Sequence, residues 1–146
     1  MNEHLIRLRG GWTCRESGAH DGDERRLQLP VRWGPGDPRR LILTRRFGRP
    51  PLGHKGPILL LRLESVSGIL AATLNGQPLK LASGAPFRQE IALPSLAERN
   101  VLVLEIDRPE LGGSPGGDEV EWGLIALVVR TADPATDLAS VIPLEP

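Results

Sequence analysis

Tyrosine is missing from this chain, and its few rings are three Trp and two Phe, so aromatics make up 3% of 146 residues. Carbohydrate-binding faces stack flat rings on the apolar side of a pyranose, and single-strand nucleic-acid binders interleave rings with cations. This composition supplies little of either. The single cysteine, Cys14, has no partner for an intrachain disulfide, so stability must come from packing. Basic and acidic residues number 18 each, and a formal net charge of zero gives no global drive toward nucleic acid or membrane. No apolar run approaches the ~18 residues that span a bilayer as a helix. Polar and charged residues follow Met1 where a signal peptide would have its apolar core, so the chain reads as cytoplasmic. There is no Asn-x-Ser/Thr sequon and no Gly-x-Ser-x-Gly elbow. Neither His-x-x-x-His nor Cys-x-x-Cys spacing occurs, and no cofactor is expected.

What the chain has in quantity is turn-makers: 17 Gly and 14 Pro, placed between apolar runs rather than gathered in one tract. The runs alternate with period two. In Leu59-Leu60-Leu61-Arg62-Leu63-Glu64, residues 59, 61 and 63 are expected in the core, with Arg62 and Glu64 toward water. In Val101–Asp107 the core side is 102, 104 and 106. Leu124 to Val129 is apolar on both faces, as in a central strand covered on both sides. Leu27 to Trp33 alternates too, but Pro30 lacks a ladder N–H and suits an edge or a break. Asn75-Gly76 is the favoured pair for a tight type I′ hairpin. Strands are predicted near 4–9, 27–33, 40–47, 57–64, 69–74, 77–81, 87–93, 101–107 and 122–130. Only 94–100 has helical flavour, for one turn at most. Many short strands with short links predict one all-β domain over 1–130, a two-sheet antiparallel sandwich, followed by a loosely packed tail over 131–146.

Charge is uneven along the chain. Residues 1–62 carry 13 basic and 6 acidic residues, and residues 63–146 carry 5 and 12. In an interleaved sandwich these halves would meet as opposite charges across strands.

An ordered set of short motifs resembles the N-terminal sugar-binding-like domain of family 2 glycoside hydrolases, the β-galactosidase and β-glucuronidase type. Arg45-Arg46-Phe47 with Pro50 matches an Arg-x-Phe motif followed by proline; Ile58–Gly68 matches the next strand and its Gly-containing turn. Leu74-Asn75-Gly76, then Pro86-Phe87, Ile91, Leu96 and Asn100-Val101-Leu102-Val103, follow in the family's order. Leu8-Arg9-Gly10-Gly11-Trp12 and Leu29-Pro30-Val31-Arg32-Trp33 resemble its opening segments. The resemblance implies a jelly-roll β-sandwich, galactose-binding-domain-like, and an architectural role for Arg45. The family's catalytic carboxylates lie in a separate barrel domain with no counterpart here, so the resemblance implies a module that is not an enzyme.

Candidate ligand-binding residues are Trp33 and Trp122, flanked by Gly and charged residues and so the rings best placed for partial exposure, with Arg45, Arg49 and His54. Trp12, Phe47 and Phe87 read as core rings. The loops expected to carry binding are 20–24, 48–56 and 112–121. Asp21 and Asp23 offer hard oxygens for a calcium ion, and otherwise form a solvated loop. Asp118, Glu119 and Glu121 read as a solvated loop rather than the facing carboxyl pair, about 5–9 Å apart, that glycoside hydrolysis needs. The leading expectation is a non-catalytic accessory module, with weak carbohydrate binding as its extension. The alternative is a protein–protein adaptor, and an unrecognised hydrolase ranks last.

Overall fold

A computed structural model describes residues 2–18, 24–34, 37–50, 58–83, 87–107 and 121–131. Among the described residues there are ten strands: β1 Asn2–Arg7, β2 Trp12–Glu16, β3 Arg25–Leu27, β4 Arg40–Gly48, β5 Ile58–Glu64, β6 Ile69–Leu74, β7 Gln77–Pro78, β8 Arg88–Ala92, β9 Arg99–Asp107 and β10 Leu124–Thr131. They form two antiparallel sheets, one in the order β1-β10-β5-β8 and the other β3-β2-β4-β9-β6-β7. This is the two-sheet antiparallel sandwich that the alternation predicts, and it agrees with the jelly roll that the resemblance implies. No helix forms over 94–100, nor elsewhere among the described residues.

Two strand assignments change. A strand at Trp12–Glu16, bonded to both β3 and β4, was not among those predicted. The strand predicted over 27–33 is instead the short β3, followed by a turn with a cis Leu29–Pro30 peptide and a lone bridge from Val31 to Trp122. Pro30 acts as the break, because it cannot donate to a ladder.

The core lies between the sheets, where the period-two faces meet. One sheet contributes Leu59, Leu61, Leu63, Ile91, Ile125, Leu127 and Val129; the other contributes Trp12, Cys14, Leu41, Leu43, Leu102, Leu104 and Ile106. Cys14 is fully buried, and burial pushes its thiol pKa up despite Arg25 nearby, so it packs as a small apolar side chain rather than a nucleophile. Asn75 and Gly76 both have positive φ, as a type I′ turn requires.

Opposite charges do meet across the fold. Asp107 is paired with Arg39 at 2.7 Å and faces Arg40 at 3.7 Å; Arg62 meets Glu90 at 2.6 Å; Arg32 faces Glu121 at 3.8 Å. Each joins a base from the first half of the chain to an acid from the second.

Candidate functional site

The outer face of the four-stranded sheet is built in rows set by strand register. One row is Glu3, Arg130 and Ile58; the next is Leu5, Val128, Leu60 and Ala92; the third is Arg7, Ala126, Arg62 and Glu90; and the last is Leu124, Glu64 and Arg88. Arg62, predicted to face water, is instead only 8% exposed. Its guanidinium donates to Glu90 at 2.7 Å and to Glu3 at 2.8 Å, while Arg130 donates to Glu3 at 2.7 Å and to Glu90 at 3.2 Å. Two cations and two anions, one from each strand, thus close a neutral ring across the Val128 row. Alternation correctly put Arg62 on the outer face; its burial comes from partners on two other strands.

The ring sets the ionisation of its members. Hydrogen bonds from Arg130 and then Arg62 hold Glu3 below the ordinary carboxylate value of 4.5, and Arg62 and then Arg130 do the same for Glu90. Glu3 in turn holds the Arg62 and Arg130 guanidinium groups more firmly protonated. A carboxylate whose pKa is lower folded than unfolded adds stability above its unfolded pKa, and loses that contribution as pH falls through the folded one. Stability should therefore fall with acidification starting below about pH 4.5. The Glu3→Gln/Glu90→Gln variant should show a shallower fall, read as thermal midpoint against pH. Equal slopes in both proteins would show that the ring does not titrate with folding.

Beside this ring, at the end of the sheet where β1 stops and β10 starts, lies a half-open cavity of about 150 Å³. Leu5, Leu8, Leu29, Pro30 and Leu124 form its apolar walls, and Arg7, Arg9, Arg62 and Glu64 its charged ones. Two backbone bonds shape it: Leu8 N–H to Ile125 O at 2.9 Å and Leu29 N–H to Arg9 O at 2.7 Å. Gly123 is required here, with φ +95° and a position where a Cβ would stand 3.0 Å from Leu29 Cδ2.

The sequence-derived candidates are distributed differently from expectation. Trp33 and Trp122 are not partly exposed: they are 6% and 3% accessible, packed on each other with ring centroids 5.8 Å apart. The Val31–Trp122 bridge folds both rings inward, so neither offers a stacking face. Arg45 is half-buried beside Gly11, donates to its neighbour Arg46 O, and pairs in register with Trp12 and Leu102. Arg49 is exposed at the end of β4, where its backbone N–H reaches Glu98 O at 3.0 Å. His54, Asp21, Asp23, Asp118, Glu119, the tail over 132–146 and nearly all of the three expected binding loops lie outside the described residues. Among the described residues no group of three or more His, Cys, Asp or Glu is placed to hold a metal ion.

Phe87 corrects the opposite expectation. Assigned to the core by its motif position, it is 70% exposed. It sits just before β8, where its carbonyl accepts from Ser65 N–H, and Ser65 has a φ of 54°. Ile58 at 54% and Leu124 at 38% are also exposed, both on the outer rows of the same sheet. No sequence signal marks Phe87, since its alternation is that of a core ring.

No family model matches the chain. No curated protein matches its sequence. Solved structures do share its fold. An FMN-binding β-glucuronidase from Faecalibacterium prausnitzii superposes with a TM-score of 0.66 at 18% identity, over 87% of this chain and 22% of that one. A β-glucuronidase from an uncultured Clostridium species gives 0.65 at 16% identity, over 90% of this chain and 32% of that one. The β-D-glucuronidase from Dictyoglomus thermophilum gives 0.64 at 13% identity, over 88% and 28%. The chain therefore has the fold of one part of these family 2 enzymes and spans at most 32% of the length of these three.

Proposed function

We propose that this chain is a non-catalytic, galactose-binding-like accessory module that docks a protein partner through the outer face and end of its four-stranded sheet. The observation that carries this reading is the placement of exposed large apolar side chains among the described residues: Phe87, Ile58 and Leu124 belong to that sheet or its edge, and Leu70 alone lies on the other sheet, in β6. Aromatic anchors of this kind, ringed by polar groups, are what concentrate binding energy in protein interfaces. Lectin-like capture draws less support, because the two indoles best suited to stack on a sugar are packed against each other inside. Acid–base hydrolysis draws less again. Glu3 and Glu90 are both held ionised by arginines, whereas a general acid needs its pKa raised.

Three measurements on the purified chain test the reading. Aryl galactosides and glucuronides should be left uncleaved, and millimolar galactose or glucuronate should not move its amide NMR spectrum. Co-expression with proteins encoded beside it should give a complex of fixed stoichiometry by size exclusion with light scattering. Phe87→Ser should abolish that complex with the fold intact. Saturable sugar binding or turnover would overturn the proposal, as would a strict monomer beside every neighbouring product.

A further inference from the structure

We infer that the 150 Å³ cavity between β1, the Leu29–Pro30 turn and the start of β10 is a binding site for a small carboxylate carried on an apolar body. The charges lining it make the case. Arg62 is committed to Glu3 at 2.8 Å and Glu90 at 2.6 Å, and Glu64 faces Arg88 at 3.5 Å. Arg7 and Arg9, both exposed, have no ion-pair partner among the described residues. After these pairings the mouth keeps two uncompensated positive charges, above walls of Leu5, Leu8, Leu29, Pro30 and Leu124.

That combination selects on two criteria at once. A guanidinium matches a carboxylate in geometry as well as charge, presenting paired N–H donors to its two oxygens. The leucine walls offer no hydrogen-bonding partner, so a polyhydroxylated ring entering there would leave its hydroxyls unsatisfied. A compact hydrocarbon body loses nothing on entry. A space of about 150 Å³ holds a group of roughly benzene size, which sets the apolar body of the ligand at one small ring or a short branched chain. The space is also kept open by the backbone: any side chain at position 123 would be driven against Leu29.

This site shares Leu124 with the proposed docking face, but the two readings fail separately: complex formation with a protein reads one, small-carboxylate binding the other. The probe is cyclohexanecarboxylate, titrated into the full chain and followed by amide NMR. Cyclohexanecarboxamide serves as the neutral isostere and acetate as the charge without the body. The acid should shift the amides of Leu5, Arg7, Gly123 and Leu124 saturably, and added salt should weaken it by screening. Carboxamide and acetate should each bind about tenfold more weakly or not at all, as should the acid with Arg7→Gln/Arg9→Gln. Arg46→Gln/Arg99→Gln, which alters exposed arginines on the other sheet, should leave binding unchanged. The inference is overturned if the carboxamide binds as well as the acid, or if the double Arg7/Arg9 variant binds normally. It is overturned equally if the shifts spread over Arg26, Arg46 and Arg99 without saturating.

Discussion

Trp122→Ala is expected to destabilise the fold by about 3–5 kcal/mol, the usual loss for deleting a large buried ring. The indole does two jobs that alanine cannot. It fills space against Trp33 at a ring separation of 5.8 Å, inclined at 56°. Its Nε1–H donates to Ser67 O at 2.8 Å, tying the start of β10 to the β5–β6 turn. The paired backbone bonds between Val31 and Trp122, 2.9 and 2.7 Å long, would be open to alanine as well. Against a typical total stability of 5–15 kcal/mol, such a loss leaves a marginal domain. Urea unfolding should show the midpoint falling with little change in slope.

The two indoles should also respond unequally to Phe. Trp122→Phe strands the Ser67 carbonyl, whereas Trp33 Nε1 is buried with no partner among the described residues, so Trp33→Phe removes an unsatisfied donor along with some volume. Trp122→Phe should therefore cost more. A reversed order would mean that ring volume, not the hydrogen bond, governs this end of the core.

The second large effect is Asn100→Ala, expected to cost roughly 3 kcal/mol through unpaired buried polar groups. Asn100 is 1% exposed and uses both ends of its amide. Its Oδ1 accepts from Ala97 N–H at 2.9 Å and Asn75 Nδ2 at 3.0 Å, while its Nδ2 donates to Ala97 O at 3.0 Å and Phe47 O at 3.4 Å. Asn75 Oδ1 in turn accepts from Val101 N–H at 2.8 Å. One buried amide thus joins the β6–β7 hairpin, the 93–98 loop and the end of β4.

Asn100→Asp is the diagnostic companion. A carboxylate would keep both incoming donors but would face two carbonyl oxygens, which raises its pKa in the fold. A raised pKa makes the penalty greatest at neutral pH and eases it as pH falls and the carboxyl protonates. Thermal melts should show this variant recovering part of its loss toward acid, while Asn100→Ala does not recover. Equal behaviour of the two would mean that the Nδ2 donations carry little of the stability.

Both asparagines were legible in the sequence as motif positions, Asn75 from its turn pair and Asn100 as the residue closing a loop before a Leu-x-Val strand. Their bond to each other was not, because it joins residues 25 positions apart. The same divide runs through the candidate site. Local alternation determined which side of each strand a residue faces: 59, 61 and 63 inward, 102, 104 and 106 inward, Arg62 outward. It also determined the two-sheet fold and the type I′ turn, since these depend on period and on the φ a residue tolerates.

Whether a face is covered is a different matter, decided by segments distant in the chain. Trp33 and Trp122 are buried because Val31 bridges to Trp122. Arg62 leaves the solvent because Glu3, 59 residues away, and Glu90, 28 away, close over it with Arg130. Phe87 alternates like a core ring yet stands open at the edge of β8. The few rings of this sequence are therefore correctly counted and differently placed: the indoles hold the core, and a phenylalanine is left exposed. Side-chain direction is a local property of the backbone, but exposure is a sum over neighbours, and only the tertiary structure brings those neighbours together.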